Sequence, residues 1–143
     1  MDDNPLTSYV VELLRDLGID GAELEADQFD AANFGNAQAI YRLGHLHLRI
    51  TRDRGQEFLD IGSLAVLNSF YQFGDVEVGM GWRSLEDLLS VAPPEPLADV
   101  LKRLRNRRNE LELAMSGIGE PSTRARFERA AAARGAAFVA RHR

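Results

Sequence analysis

Two histidines, an arginine and an aspartate are the residues of this chain whose types and spacing could support chemistry. His45 and His47 are separated by one residue, so in a strand both imidazoles would lie on one side, as some metal sites require. Arg49 and Asp60 would face each other across a hairpin as an oriented ion pair. No third metal ligand accompanies the histidines, because the nearest carboxylate, that of Asp60, already faces Arg49. A small enzyme using His47, Arg49 and Asp60 would also need a concave pocket at this face.

No other motif indicates catalysis or a cofactor. The glycines at Gly74, Gly79 and Gly81 match neither the dinucleotide nor the nucleotide phosphate-loop spacing. There is no serine elbow, and the absence of cysteine excludes disulfides, thiolate metal sites and a cysteine nucleophile. The sequence therefore predicts no catalytic residue, no metal site and no cofactor, and it favours a non-enzymatic protein.

The central stretch that must position these residues, 37–63, alternates apolar and polar side chains. A period of two is typical of antiparallel strands with one buried face. Tight turns are predicted at Gly44-His45 and at Arg54-Gly55 or in the four residues 53–56. One face would carry the apolar side chains Ala39, Tyr41, Leu43, Leu46, Leu48, Ile50, Leu59 and Ile61.

The register of the second hairpin follows from charge and polarity. A turn of two or four residues aligns two opposite-charge pairs, Arg52 with Glu57 and Arg49 with Asp60. A three-residue loop would set Arg49 against Leu59 and so mix the polar and apolar faces. Because a slip of one residue inverts every side chain, the even register is expected.

Helices are expected before and after these strands in the chain. Residues 5–17 form an amphipathic pattern with Asn4 as N-cap, and residues 24–29 could form a short edge strand. Val76, Val78 and Met80 alternate like a fourth strand. Ser84 could cap a short helix, a longer helix is predicted at 96–115, and a last one at 121–141. The fold class is therefore α+β: an N-terminal helix, a three- to four-stranded antiparallel meander sheet and C-terminal helices.

The length of 143 residues predicts one domain, 1–143. Residues 117–143 contain few large apolar side chains, so they could form a loosely docked helical arm, and homodimerisation through this helix is one alternative. The N-terminus is acidic where a secretory signal would be basic, and no apolar run could span a membrane. We therefore expect a cytoplasmic protein that does not contact a membrane.

Charge is distributed unevenly along the chain. Residues 1–101 carry a net charge of −12, and residues 102–143 carry +7. Either the basic part folds back on the acidic body or each part meets a different partner.

The acidic part predicts a protein partner. Nine acids and one base lie between residues 2 and 30. Acids also keep proteins soluble, but a dense negative surface can meet a basic protein by charge complementarity. The candidate partner-binding residues are Asp16, Asp20, Glu23, Glu25 and Asp27.

The basic part suggests the alternative, nucleic-acid binding by phosphate neutralisation. The candidate residues are Arg103, Arg105, Arg107 and Arg108, within the segment KRLRNRR. The pI near 5.2 and the lack of interleaved aromatic residues count against this alternative. A solvated helix face, or one docked on the acidic body, would explain the same pattern.

The segment FGNAQAIYRLGHLHLRITRDRGQEFLDIGS resembles small bacterial immunity-type proteins that neutralise polymorphic toxins. The resemblance rests on Phe34-Gly35-Asn36, on the turn at 52–56 and on Asp60-Ile61-Gly62. It covers about thirty residues and implies a fold more than an activity, so no functional residues are carried over. Together with the acidic surface, it leads to the hypothesis of an immunity-like inhibitor of a basic toxin domain.

Overall fold

The fold is an α+β arrangement in which one antiparallel sheet separates two groups of helices along the chain. A computed structural model describes residues 4–63, 66–91, 95–116 and 121–141. Helix α1 (Pro5–Asp16) precedes five strands: β1 (Glu23–Asp30), β2 (Asn36–Leu43), β3 (Leu46–Asp53), β4 (Gln56–Ser63) and β5 (Val66–Gln72). The strands lie in sequence order, each antiparallel to the next. The predicted class is confirmed, with five strands instead of three or four.

The predicted register of the central strands is confirmed. Arg49 pairs with Asp60, and the turn is the two residues Arg54-Gly55, since Asp53 pairs with Gln56. Across the first turn Leu43 pairs with Leu46, and Gly44 has a φ of 61°. The eight apolar side chains predicted to share a face are all buried there. The edge strand predicted at 24–29 is also present, as part of β1.

Helix α1 covers this apolar face. The Asn4 side chain accepts a hydrogen bond from the Leu6 N–H at 3.0 Å, as expected of an N-cap. Leu6, Val10 and Leu14 are buried against the sheet, at a spacing of one side chain per turn. The helix ends at Asp16, one residue before the end predicted from the sequence.

The prediction of a strand at Val76, Val78 and Met80 is wrong. Helix α2 (Phe73–Gly79) occupies this segment, and the additional strand is β5, just before it. As a helix, the segment places Phe73 and Val76 together in the core. Local alternation was overridden by this tertiary packing.

The predicted long helix at 96–115 is two helices, α4 (Leu97–Asn106) and α5 (Arg108–Ser116). Arg107 leaves the helical conformation, with φ −115° and ψ 14°. The apolar stripe that buries Leu104 and Leu111 is interrupted near this point by Arg108. Helix α3 (Leu85–Ser90) precedes them, and its predicted cap is confirmed by a 3.0 Å hydrogen bond from the Asp87 N–H to the Ser84 Oγ.

The last helix, α6 (Pro121–Arg141), has the predicted bounds and packs against α2. Phe127 is fully buried, its ring meeting the Tyr71 ring edge-on with centroids 5.4 Å apart. Phe138 and Val139, near the end of the helix, are exposed. The part of the predicted arm around Phe127 therefore docks on the domain. Residues 117–120, 142 and 143 lie outside the described residues.

Candidate partner-binding surfaces

Three of the five acidic candidate residues lie in an outer strand of the sheet, and the other two lie in the part of the chain that leads into it. Within the described residues, β1 is an outer strand of the sheet and pairs with β2 alone. Asp16 ends α1, Asp20 lies in the following turn, and the other three are in β1. We call Asp16, Asp20, Glu23, Glu25 and Asp27 the acidic edge; all five are exposed.

The acids of β1 do not all lie on one face of the sheet. Glu23 pairs with Arg42 on the polar face of the sheet, whereas Asp27 pairs with Ala39 on the helix-covered face. A bulge at Glu25 interrupts the ladder, and the extra residue of a bulge redirects its side chain. The acids of β1 therefore form a ridge that projects towards both faces of the sheet.

Most of the charge on this ridge is uncompensated. No cation lies within salt-bridge distance of Asp16, Asp20 or Glu23 in the part of the chain that the structure describes. Glu25 is the exception, with its Oε1 2.8 Å from the Nε2 of His47. The Asp27 Oδ2 accepts a hydrogen bond of 3.4 Å from the Asn4 amide. A basic partner would thus meet carboxylates that are mostly free to pair.

Of the residues considered for chemistry, His47, Arg49 and Asp60 lie on the polar face and each has a partner, with the Nε2 of His47 lying 2.8 Å from Glu25. His45 lies in the turn before β3, so the two histidines do not share a strand as the sequence predicted. The Nε and Nη2 of Arg49 donate to the Asp60 Oδ2 at 3.1 and 3.0 Å. The Arg49 guanidinium also lies 4.3 Å from the centroid of the Phe70 ring, on which His47 stacks. Among the described residues, no three His, Asp or Glu side chains are grouped as a metal site would need. His47, Arg49 and Asp60 are therefore already engaged with neighbouring side chains.

Of the four basic candidates, Arg103 is the most deeply engaged. It donates to the Glu77 Oε2 at 2.9 Å and to the Glu95 Oε2 at 2.6 Å. Burial lowers the pKa of Arg103, but these charge-assisted hydrogen bonds outweigh burial and the net shift is upward. Burial raises the pKa of Glu95, yet the hydrogen bonds that Glu95 accepts from Arg103 and Arg83 outweigh burial. The net result is a pKa below the usual range of a glutamate. Arg103 is therefore part of the internal structure.

The other three arginines also have internal partners. Arg107 lies 5.3 Å from the Trp82 ring centroid and 3.1 Å from Glu110. Arg105 donates to the Leu17 carbonyl oxygen at 3.1 Å. Arg108 pairs with Glu112 and donates at 3.4 Å to the carbonyl oxygen of Asp20.

Two of these bonds reach the acidic edge. The carbonyl groups bound by Arg105 and Arg108 belong to Leu17 and Asp20, in the turn between α1 and β1. The basic part of the chain thus folds back on the acidic body, one of the two arrangements that the charge distribution predicted. Arg105 and Arg108 help to position the segment that carries the acids.

A second exposed feature lies where the β1–β2 and β3–β4 turns meet. We call residues 33–36 and 53–56 the paired-turn tip. In each turn two successive residues have positive φ, as in type I′ turns: 59° and 67° at Phe34-Gly35, and 53° and 84° at Arg54-Gly55. The Arg54 N–H donates to the Asn36 Oδ1 at 2.9 Å, which ties the two turns together.

Phe34 is the exposed group of this tip. Its side chain is 73% exposed, and the Arg54 guanidinium lies 5.2 Å from the centroid of its ring. The residues of the two turns are unusual. Type I′ turns prefer Asn-Gly or Asp-Gly, whereas this chain has Phe-Gly and Arg-Gly, and that departure is visible in the sequence. The sequence predicted the turn at Arg54-Gly55, whereas Phe34-Gly35 entered only through the resemblance, and neither turn supplied a predicted site residue.

Two further findings describe what the chain lacks. Within the described residues, no helix combines the length and the apolar character that crossing a membrane requires. Comparisons with protein-family models, with curated proteins and with solved structures found no match.

Proposed function

We propose that this chain is a non-enzymatic protein-binding module, most concretely an immunity-like inhibitor of a basic toxin domain, acting in the cytoplasm. The acidic edge would be its binding surface. The observation that carries this proposal is a contrast in charge pairing. Among the described residues, Asp16, Asp20 and Glu23 are exposed and their carboxylates form no salt bridge, whereas the four candidate arginines have internal partners.

The acidic edge suits a basic protein for physical reasons. Exposed carboxylates attract a cationic surface over about 8–10 Å at physiological ionic strength and so accelerate association. An outer strand also presents its side chains and backbone to a partner without rearrangement of the core. The hairpin pattern that resembles immunity-type proteins supports the same function.

The test begins with recovery of the partner. The tagged chain is used to retain proteins from a lysate of its source cells, with washes at low and moderate salt, followed by mass spectrometry and a nucleic-acid assay. We expect one basic protein in near-stoichiometric amount. Toxicity of that protein on expression, relieved by co-expression of this chain, would be the expected inhibitory activity.

Charge reversal then tests the surface. Asp16→Lys, Asp20→Lys and Glu23→Lys together should slow association with the recovered protein about tenfold or more, because steering is lost. The matched control is Glu86→Lys, Asp99→Lys and Glu128→Lys, three exposed acids on helices, with the same change in net charge. Equal association rates for the two triple variants would show that the acidic edge is not the site.

A further inference from the structure

The paired-turn tip keeps two residues in a conformation that their side chains disfavour. Phe34 and Arg54 are the two non-glycine residues with positive φ in the described part of the chain. Asn or Asp would serve both turns better, because their short side chains tolerate this region and bond to the local backbone. Strained residues in exposed turns are commonly kept for what they present, which makes the tip a candidate for recognition.

We propose that Phe34, stacked against Arg54, is the apolar anchor that holds the basic protein partner, its ring entering an apolar pocket on that partner. This inference rests on the proposed function and deepens it. Interfaces gain most of their affinity from a few large side chains, with aromatic residues and arginine enriched among them. Phe34 and Arg54 have these residue types, and Phe34 is 73% exposed.

The tip is also rigid enough to act as an anchor. The hydrogen bond from the Arg54 N–H to the Asn36 Oδ1 joins the two turns, and the Asn36 N–H donates to the Asn33 carbonyl oxygen at 3.0 Å. The Arg54 guanidinium lies against the Phe34 ring. A side chain that is already held in place loses less conformational entropy when it binds.

One partner could contact the tip and the acidic edge at the same time. An open depression of about 550 Å³ is lined by Gln28 and Asp30 of β1 together with Asn36 and Asp53 of the tip. Asp30 and Asp53 are exposed acids, and Arg52, which also lines the depression, is paired with Glu57. The partner expected from this geometry is therefore a basic surface with an apolar pocket beside it.

The two parts of this surface should act on different rate constants. Charges on the acidic edge govern encounter, and so the association rate. An aromatic ring buried only in the final complex governs the dissociation rate, where most differences in affinity arise. This division makes the two proposals separable by kinetics.

The experiment compares Phe34→Asn with the wild-type chain, using as probe the basic protein recovered by the wild-type chain. We expect dissociation to become at least tenfold faster, with the association rate within twofold of wild type. The melting temperature of Phe34→Asn should equal or exceed that of wild type, because Asn suits the turn. Leu113→Asn, which removes an exposed apolar side chain from α5, is the matched control and should leave both rates unchanged.

The outcomes distinguish this inference from the function on which it rests. Unchanged dissociation of Phe34→Asn, together with slower association of the Asp16, Asp20 and Glu23 reversal, would overturn the anchor and leave the acidic edge intact. Unchanged rates in both variants would overturn both. Failure to recover any basic protein would overturn the proposed function and the anchor with it.

Discussion

Tyr41 is a titratable residue enclosed by the core. Its side chain is buried under α1, and its hydroxyl donates to the Thr7 carbonyl oxygen at 3.5 Å. Burial raises the pKa of Tyr41 to about 12, and the nearby negative charge of Asp27 adds to the shift. The phenolate is thus disfavoured in the folded state, whereas the unfolded chain ionises near pH 10.

The expected consequence is a loss of stability at high pH. Since the folded pKa is raised, the contribution is complete below about pH 10 and disappears as the pH rises through about 12. The shift corresponds to about 3 kcal/mol in the free energy of unfolding. Urea unfolding at pH 8 and pH 11.5 should show a large part of this loss in wild type and clearly less in Tyr41→Phe.

The other two tyrosines, Tyr71 and Tyr9, affect how this measurement is read. Burial, followed by the charge of Glu128, also raises the pKa of Tyr71, with Arg124 opposing, so Tyr41→Phe should retain some pH dependence. Tyr9→Phe changes an exposed tyrosine and serves as the control. The same pH dependence in Tyr41→Phe as in Tyr9→Phe would contradict the assignment.

At the scale of elements, an ion pair attaches α6 to α2. Arg134 donates from its Nε and Nη2 to the two carboxylate oxygens of Asp75, at 2.8 and 2.9 Å. This hydrogen bonding raises the pKa of Arg134, against the opposing effect of burial. The Asp75 side chain is only 3% exposed, so the docked helix is what neutralises it.

Arg134→Ala should therefore weaken α6 docking. Loss of the partner leaves the Asp75 carboxylate buried and unpaired, and the free energy of unfolding should fall by about 2–3 kcal/mol. Hydrogen exchange in α6 should become faster before exchange in the sheet does. Arg129→Ala removes an exposed arginine from the same helix and should change neither quantity. Identical behaviour of the two variants would mean that the ion pair does not hold the helix.

Gly79 allows the close approach of these two helices. A Cβ at this position would lie 2.8 Å from the Phe127 Cδ1 and 3.1 Å from the Arg126 carbonyl oxygen. Gly79→Ala should reduce the free energy of unfolding by about 1–3 kcal/mol, because the buried ring and a backbone atom must move. Chemical denaturation measures this directly.

Gly135, in the middle of α6, provides the opposite case. Nothing lies within 4 Å of a Cβ added there. Gly135→Ala should therefore stabilise the chain by about 0.5–1 kcal/mol through helix propensity alone. A stabilising effect of Gly79→Ala would contradict the helix contact as described.

At the scale of the whole molecule, the charge balance argues for a protein partner over nucleic acid. The net charge is −5, and the four candidate arginines are engaged with acids, carbonyl groups or an aromatic ring. Phosphate neutralisation would have to compete with these contacts.

We expect no measurable binding to a 20-base-pair duplex or a 20-nucleotide single strand at about 200 mM salt. Fluorescence anisotropy at about 50 and 200 mM salt is the measurement. Binding that is lost in Arg105→Glu and Arg107→Glu and that falls steeply with salt would instead establish the nucleic-acid alternative. Homodimerisation through α6 stays a prediction, which sedimentation at several concentrations would test.

The sequence alone determined the three central strands of the sheet and their register. Alternation over residues 37–63, two glycine turns and two opposite-charge pairs specify which side chains share a face, because neighbours in a meander are also neighbours in sequence. Local sequence signals also predicted the N-cap of α1 and the first and last residues of α6. They also located the acidic edge, since Glu23, Glu25 and Asp27 follow one another in β1.

Tertiary structure decided what depends on partners distant in the chain. The segment at Val76 and Val78 is helical because its buried residues meet the core, and no local period carries that information. Which arginines would be engaged was likewise undetermined, since Arg103 and Arg134 meet acids 26 and 59 residues away. The paired-turn tip needed two turns to be brought together across the sheet. Short-range pattern thus determined the central strands, and long-range contact decided which surface groups remained available to a partner.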